Sequence, residues 1–431
     1  MLIIDSTNFL PNSYRHDFGV VPEVFLPIGG KILLTALCEA LHFDYQDTHV
    51  ILPHLSSPNP YSLDVVNHLT PEVNVHTPDS FPIDICNNIS DFVFVSHLSF
   101  PLSSELSINS SDSSSLIFRC DKPLQATSFS GFLTKITNTA LLDYSNDNLV
   151  ESVDLAIPSN YFRLRSQLVN VRFFNSLSIN ANVLTKTCKV PGKAREEWLW
   201  YDAANKIIPN LVPVPIKYTP PESYSIEYYP SISLSETFVF GNLSLSCWKT
   251  LLAELQSFFS YLCIAGNDNY SSADKPNLDN FVKNLVEHKL YERLELFSDS
   301  FRVSFGHDIY SLPLSLNGSQ PLYLSDIIEY SLDSFHGLTH VPFLFHGDLC
   351  LSNILYDSRL NTFRAIDPRG ILSRSHVDDV SLFASQVYDM MKLCHSFLGG
   401  YDFINYGYIA LSSYSISSSI DVSIDFSLPE N

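Results

Sequence analysis

The sequence predicts an α/β domain built on a Rossmann-type sheet, followed by an α+β domain of two lobes. Three observations carry that reading. In the first third of the chain, compact apolar runs alternate with a helical pattern, as buried strands and crossover helices do. From Phe162 to Cys188 the pattern turns to period two, with a tight-turn signal between its halves. Beyond Ser246 long amphipathic helices take over, and 431 residues are too many for one typical core. Turn residues in Tyr144 to Asn148 and Ile157 to Asn160 place the boundary. The expected domains are 1–155 and 156–431, the latter with a small lobe over about 160–230 and a large lobe over about 231–431.

Taken in order, Leu2-Ile3-Ile4 is a short apolar strand. Val24 to Lys31 leads into a helix with Leu33, Leu34, Leu37, Cys38 and Leu41 on one face. Val50-Ile51-Leu52 and Phe92-Val93-Phe94-Val95 are apolar at every position, the mark of a strand covered on both faces. Ser103 to Ser115 is polar and Ser-rich, and reads as an exposed loop.

In the second half, Ser176-Leu177-Ser178-Ile179 and Val183-Leu184-Thr185-Lys186 flank Asn180-Ala181-Asn182 as a hairpin would. Lys193 to Tyr201 is a helix, and Tyr224 to Tyr229 an alternating strand stopped by Pro230. Ser246 to Leu262 sets Trp248, Leu251, Leu255, Phe258 and Leu262 at helical spacing. Lys283 to Leu296 and Val387 to Ser396 are further helices, and Ser412 to Asn431 is an edge strand or a disordered tail.

Composition excludes several classes of function. The net charge of −21 makes nucleic acid and anionic membrane poor partners. Eight cysteines form no C-x-x-C pair or zinc-spaced cluster, so free thiols in a reducing compartment are expected. The N-terminal residues lack a secretory pattern and no apolar run reaches membrane-spanning length. A soluble, cytoplasmic protein without membrane insertion is the expectation.

The chemistry concentrates in Phe345-His346-Gly347-Asp348-Leu349-Cys350-Leu351-Ser352-Asn353, followed by Ala365-Ile366-Asp367-Pro368-Arg369-Gly370. Phosphoryl transfer from a nucleotide needs hard oxygen ligands for Mg²⁺ and a carboxylate that orients the attacking hydroxyl and accepts its proton. Asp348 suits the carboxylate role. Asn353 offers a neutral oxygen to the metal and Asp367 a charged one. A single Asp or Asn more often caps a turn, but three at these spacings beside apolar runs favour chemistry.

This loop resembles that of the aminoglycoside phosphotransferase and choline kinase superfamily, which reads H-G-D-x-x-x-x-N followed by I-D, and the resemblance implies a protein-kinase-like fold. On that frame Lys186 stands where the phosphate-binding lysine belongs, with Glu197 to position it; Lys189 with Glu196 is the second choice. Tyr224 to Pro230 takes the hinge position, so Glu227 and Tyr228 are candidates to meet the base. Phe173-Phe174-Asn175-Ser176 is the candidate cover over the phosphates, since no glycine occurs from Leu133 to Pro191. Arg369 contacts the transferred phosphate or bridges to an acidic neighbour such as Asp357. Asp389 and Lys392 hold the acceptor or brace the loop.

The run Leu349-x-x-Ser352-Asn353-Ile354-Leu355-Tyr356-Asp357, the Asp367-Pro368-Arg369-Gly370 segment, Asp389 with Lys392-Leu393, and Gly399-Gly400-Tyr401-Asp402 are similar to a subgroup found with capsule and surface-polysaccharide genes. The resemblance implies ATP or another NTP, Mg²⁺, and a small-molecule hydroxyl acceptor such as a sugar or small alcohol. It also implies contact with polysaccharide-synthesis enzymes.

At the other end, Pro22 to Leu34 looks like the P-K-x-x-L-P-x-x-G-K-P-L segment of sugar-phosphate nucleotidyltransferases, and Phe129-Ser130-Gly131-Phe132 is similar to their Y-S-G-x-Y. The departures are specific. The segment Ile4 to Arg15 has no glycine where that family's phosphate loop is Gly-rich, Glu23 replaces a lysine, and Ser96-His97-Leu98 stands where a metal-binding Asp is expected. The expectation is a nucleotidyltransferase-like domain that has lost catalysis, with Asp84, Asp91 and His97 as residual ligand candidates or solvated turn residues. An ATP- and Mg²⁺-dependent phosphotransferase is the expected function. A non-catalytic nucleotide-binding scaffold and a bifunctional kinase and nucleotidyltransferase are the alternatives.

Overall fold

Leu2–Asp5 runs through the middle of a six-stranded sheet and is buried along its whole length. The computed structural model describes residues 1–28, 30–53, 72–84, 92–101, 117–120, 126, 128, 130–135, 149–150, 152–167, 175–180, 182–269, 275–369 and 382–426. Across the sheet the order is Asn74–His76, Thr48–Ile51, Leu2–Asp5, Phe92–Ser96, Ile117–Cys120 and Leu149–Val150. The first four are parallel, whereas the last two are antiparallel. The sheet is thus mixed, with only its first four strands in the parallel arrangement of a Rossmann-type sheet. The helix Leu33–Leu41 lays Leu33, Leu34, Leu37 and Cys38 into the core. The Ser103 to Ser115 segment, Asp91, Phe129, Phe173, Phe174 and Gly370 lie outside the described residues, as does the side chain of Asn175.

The second half is a mixture of sheet and helix. Its first part is a four-stranded antiparallel sheet in the order Asn175–Asn180, Val183–Cys188, Ser223–Glu227, Pro215–Thr219. Asn180 pairs with Val183, so the hairpin turns over two residues, as its Asn-rich centre predicts. The helix Lys193–Ile207 follows and buries Ala194, Glu197, Trp200, Tyr201 and Ala204 on one stripe.

The remainder is built on the helices Leu245–Asn269, Lys275–Phe305, Leu324–His336 and Gln386–Phe397. Helix Leu245–Asn269 packs on the strand Pro342–Leu344, which leads into the Asp348 loop. Gly266 makes that approach possible: a Cβ there would lie 2.3 Å from the Pro342 carbonyl oxygen. Past the loop, Ile354–Asp357 and Thr362–Ala365 form a hairpin that returns the chain to Asp367. The Ser-rich end forms a strand pair, Ile409–Ile416 with Ile420–Phe426; residues 427–431 lie outside the described set.

One hydrophobic core runs across the sequence boundary. Leu2, Ile4 and Val95 of the first sheet share it with Val239, Phe240, Phe403 and Tyr408. Among the described residues, no helix is long and apolar enough to cross a membrane.

Candidate active site

The Asp348 loop is held in shape by its own backbone donors. Asp389 projects from helix Gln386–Phe397, fully buried, and its carboxyl oxygens accept the N–H groups of His346 at 2.8 Å, Gly347 at 2.9 Å and Leu349 at 3.3 Å. Three donors aimed at one carboxyl group satisfy amides that a tight loop would otherwise leave unpaired. Burial raises the Asp389 carboxyl to about 7, against the downward pull of these donors.

His346 supplies the second clamp. Its Nε2–H donates to the Ile366 carbonyl at 2.9 Å, which leaves Nδ1 to accept the Asp348 N–H at 3.3 Å. The ring is buried, and burial lowers it to about 4, so it is neutral at pH 7. Trp200 stands edge-on to it and donates its indole N–H to the Phe345 carbonyl at 2.7 Å. Gly347 has φ 78°, and a Cβ there would come within 2.7 Å of Arg369 Cβ and of the Phe345 ring. Glycine is the residue that fits this position.

So positioned, Asp348 is fixed from two sides. Asn353 Nδ2 donates to its backbone oxygen at 2.8 Å and to Oδ2 at 3.2 Å, while Lys392 Nζ lies 2.8 Å from Oδ1. Burial works against the Lys392 charge, but the Asp348 carboxylate beside it carries the ammonium above its ordinary value.

Lys186 rises from the small sheet into the same region. Its ammonium is buried and meets Glu197 Oε2 at 2.7 Å and Asp367 Oδ1 at 2.5 Å. Desolvation disfavours its charge, and the pull of Asp367 and Glu197 outweighs it, so Lys186 is raised above the ordinary lysine value. Glu197 is held by Tyr224, whose hydroxyl donates to Oε2 at 2.6 Å, and by Lys193 at 3.4 Å. Asp367 sits at φ 54°, and its N–H donates to the Tyr201 hydroxyl at 2.9 Å.

Between the small sheet and the loop lies a cavity of about 410 Å³. One wall is apolar, with Leu177, Ile179, Leu184 and Ile226; Lys186, Asn353 and Asp367 stand along the other. Glu227 and Tyr228 also line it. The Tyr228 N–H is spent on the Asn182 carbonyl at 2.8 Å, and the Glu227 carboxylate accepts from the Tyr229 hydroxyl at 2.8 Å. Asn175 pairs through its backbone with Cys188, and among the described side chains of its strand Leu177 and Ile179 reach the cavity.

Other expectations resolve individually. The Arg369 guanidinium donates to the Tyr388 hydroxyl at 3.3 Å and does not bridge to Asp357, whose Oδ1 takes the N–H groups of Arg359 and Leu360. In the first third of the chain, His97 has φ 46° and meets the Asn8 amide at 2.8 Å and the buried Glu23 carboxylate at 3.5 Å. Hydrogen bonding to Glu23 raises His97. Sequence reading missed Tyr201, Tyr224, Trp200, Lys289 and Tyr388, whose partners lie far away in sequence, and Lys193, which meets Glu197 one turn on.

For a metal, the donor set fits a hard cation shared with phosphates. The Asn353 amide nitrogen is committed to Asp348, leaving its side-chain oxygen to the cavity that Asp367 also lines. Among the described residues, no group of three or more His, Cys, Asp or Glu could hold a metal by protein ligands alone.

The site is therefore a cleft between a small antiparallel sheet and a helical region, where a lysine–glutamate pair and a braced Asp–Asn loop converge opposite an apolar wall. No family model matches the chain, and no curated protein matches it. Among solved structures it is similar to a choline/ethanolamine kinase family protein from Mesorhizobium loti, at 11% identity over 55% of this chain and 67% of that one, with a TM-score of 0.30. At that score the likeness carries no weight, and the functional reading rests on the geometry.

Proposed function

We propose that the protein is a phosphotransferase that moves the terminal phosphoryl group of ATP, or another NTP, to a hydroxyl of a small molecule. The observation that carries this reading is the convergence of Lys186–Glu197, Asp367 and the Asp348–Asn353 loop on one cleft. The apolar wall suits a purine base. The Tyr229 N–H, which has no protein partner among the described residues, is the hinge donor left for the base edge. Lys186 steadies the phosphates, and Glu197 with Tyr224 keeps its ammonium aimed. Asn353 and Asp367 would hold Mg²⁺, which when bound neutralises charge on the phosphates. Asp348 orients the acceptor hydroxyl and takes its proton.

The proposed acceptor is a sugar or small alcohol of surface-polysaccharide assembly, supported by the Leu349 to Asp357 and Asp367 to Gly370 runs. The first domain is proposed as a non-catalytic platform of nucleotidyltransferase ancestry, supported by the buried Glu23 facing His97 where that family has a lysine. Mg²⁺-dependent ATP turnover tests the assignment. Asp348→Ala is expected to lower kcat by roughly 10²–10⁴-fold. Asp367→Ala is expected to remove the response to Mg²⁺. Equal turnover by wild type and both variants would sink the phosphotransferase reading and leave the scaffold role.

A further inference from the structure

We propose that the side of Asp348 turned away from the nucleotide cavity is an anion-binding acceptor subsite, formed by Lys289, Arg369 and Lys392 around the Tyr388 hydroxyl, and that the hydroxyl substrate carries a phosphate or carboxylate group. The proposal rests on the phosphotransferase reading, which makes the group facing Asp348 the acceptor.

Three separate elements bring the cations together. Lys289 comes from helix Lys275–Phe305, and its Nζ lies 3.3 Å from the Tyr388 hydroxyl. Arg369 follows the Asp367 segment and places Nη1 3.3 Å from the same hydroxyl. Lys392 lies one turn beyond Tyr388 on helix Gln386–Phe397 and contacts Asp348. Among the described residues, Asp348 is the one carboxylate in ion-pair contact with any of the three. Among the described residues, two positive charges are thus in excess at this spot, in a chain whose net charge is −21.

The excess is felt by the cluster itself. Burial, then the charges of Arg369 and Lys392, push Lys289 down to about 8. Cations forced together in this way are the arrangement that takes up phosphate or carboxylate, with charge-assisted hydrogen bonds from arginine and lysine.

The placement separates this anion from the nucleotide's own. Lys186, Asn353 and Asp367 line the nucleotide cavity, whereas Lys289, Arg369, Tyr388 and Lys392 do not. Asp348 divides the two regions, with Oδ2 toward Asn353 and Oδ1 toward Lys392. A cationic acceptor would be repelled here, and a neutral one would leave the half-buried positive charge uncompensated.

Inorganic phosphate serves as the probe, titrated calorimetrically into the full-length protein with and without Mg²⁺ and a non-hydrolysable ATP analogue. The expected result is phosphate binding that persists when the analogue is bound. Lys289→Met should weaken it at least ~10-fold and Lys289→Arg should restore it, as loss and return of a charge-assisted contact require. Thermal unfolding of each variant verifies that it is folded. No phosphate binding by wild type at millimolar concentration would overturn the proposal, as would equal binding by Lys289→Met. Displacement of phosphate by the ATP analogue would also overturn it, because the cluster would then serve the nucleotide. Failure of the analogue to bind would count against the phosphotransferase reading alone, since the phosphate titration without nucleotide still reads the cluster.

Discussion

His346 shows how one side chain can tie a reactive loop to acid stability. Its buried ring accepts one loop N–H and donates to the Ile366 carbonyl, so it must be neutral on at least one nitrogen for the loop to close. The unfolded chain protonates this histidine near its ordinary value of about 6.5, whereas burial holds the folded ring off until about 4. Between those values the unfolded state binds more protons, so stability falls as pH falls, by about 3 kcal/mol for this group. Asp389 works in the opposite direction: burial raises it to about 7, so its contribution declines as pH rises toward that value. Urea unfolding of wild type and His346→Gln at pH 7 and pH 4.5 separates the two. The variant is expected to lose less stability on acidification, and parallel losses would show that His346 does not titrate as described. The three members of the proposed phosphoryl-transfer set, Asp348, Asn353 and Asp367, were readable because their spacing is local. Of their supports, Asp389 was a candidate brace through its family resemblance, but the contacts of Asp389 and Trp200 with the loop span 40 or more positions and exist only in the fold.

At the scale of elements, the short helix Leu234–Phe240 joins the parts of the molecule. Ser233 caps it, and Glu236 completes a capping box by accepting the Ser233 N–H. The same Glu236 carboxylate receives both Nη groups of Arg165 at 2.7 Å, from the helix Pro158–Gln167. The pair is largely buried, so removing one partner leaves an uncompensated charge. Arg165→Ala is expected to cost about 3–5 kcal/mol in denaturant unfolding, and Glu236→Ala about 1 kcal/mol more because the cap is lost as well. A cost below ~1 kcal/mol for Arg165→Ala would place the pair with ordinary surface ion pairs. The elements that could be read from apolar periodicity include Leu33–Leu41, the Asn180 hairpin and the long Leu245–Asn269 helix. The antiparallel outer strands of the first sheet could not, because strand direction is set by the connections and by which neighbours pair, and neither leaves a periodic trace.

For the whole molecule, the shared core is the consequential feature. Val239, Phe240, Phe403 and Tyr408 belong to the second half by sequence but are buried with the first sheet. Expressing residues 156–431 alone would expose them. At about 1.5–3 kcal/mol per large apolar side chain, Val239 and Phe240 together account for roughly 3–6 kcal/mol, or a fall of roughly 10 °C or more in Tm. Equal Tm values for the fragment and the full chain would mean that the halves are independent. By itself, the sequence determined which residues are candidates for the proposed chemistry, because the Asp348, Asn353 and Asp367 spacing and apolar periodicity are short-range patterns written within a few turns of chain. Only the tertiary structure decided how those residues are aimed. Lys186 meets Asp367, Asp389 closes the Asp348 loop, and Lys289 joins Arg369 and Lys392 through packing between distant segments, and the charge and burial that set their chemistry exist only once those segments meet.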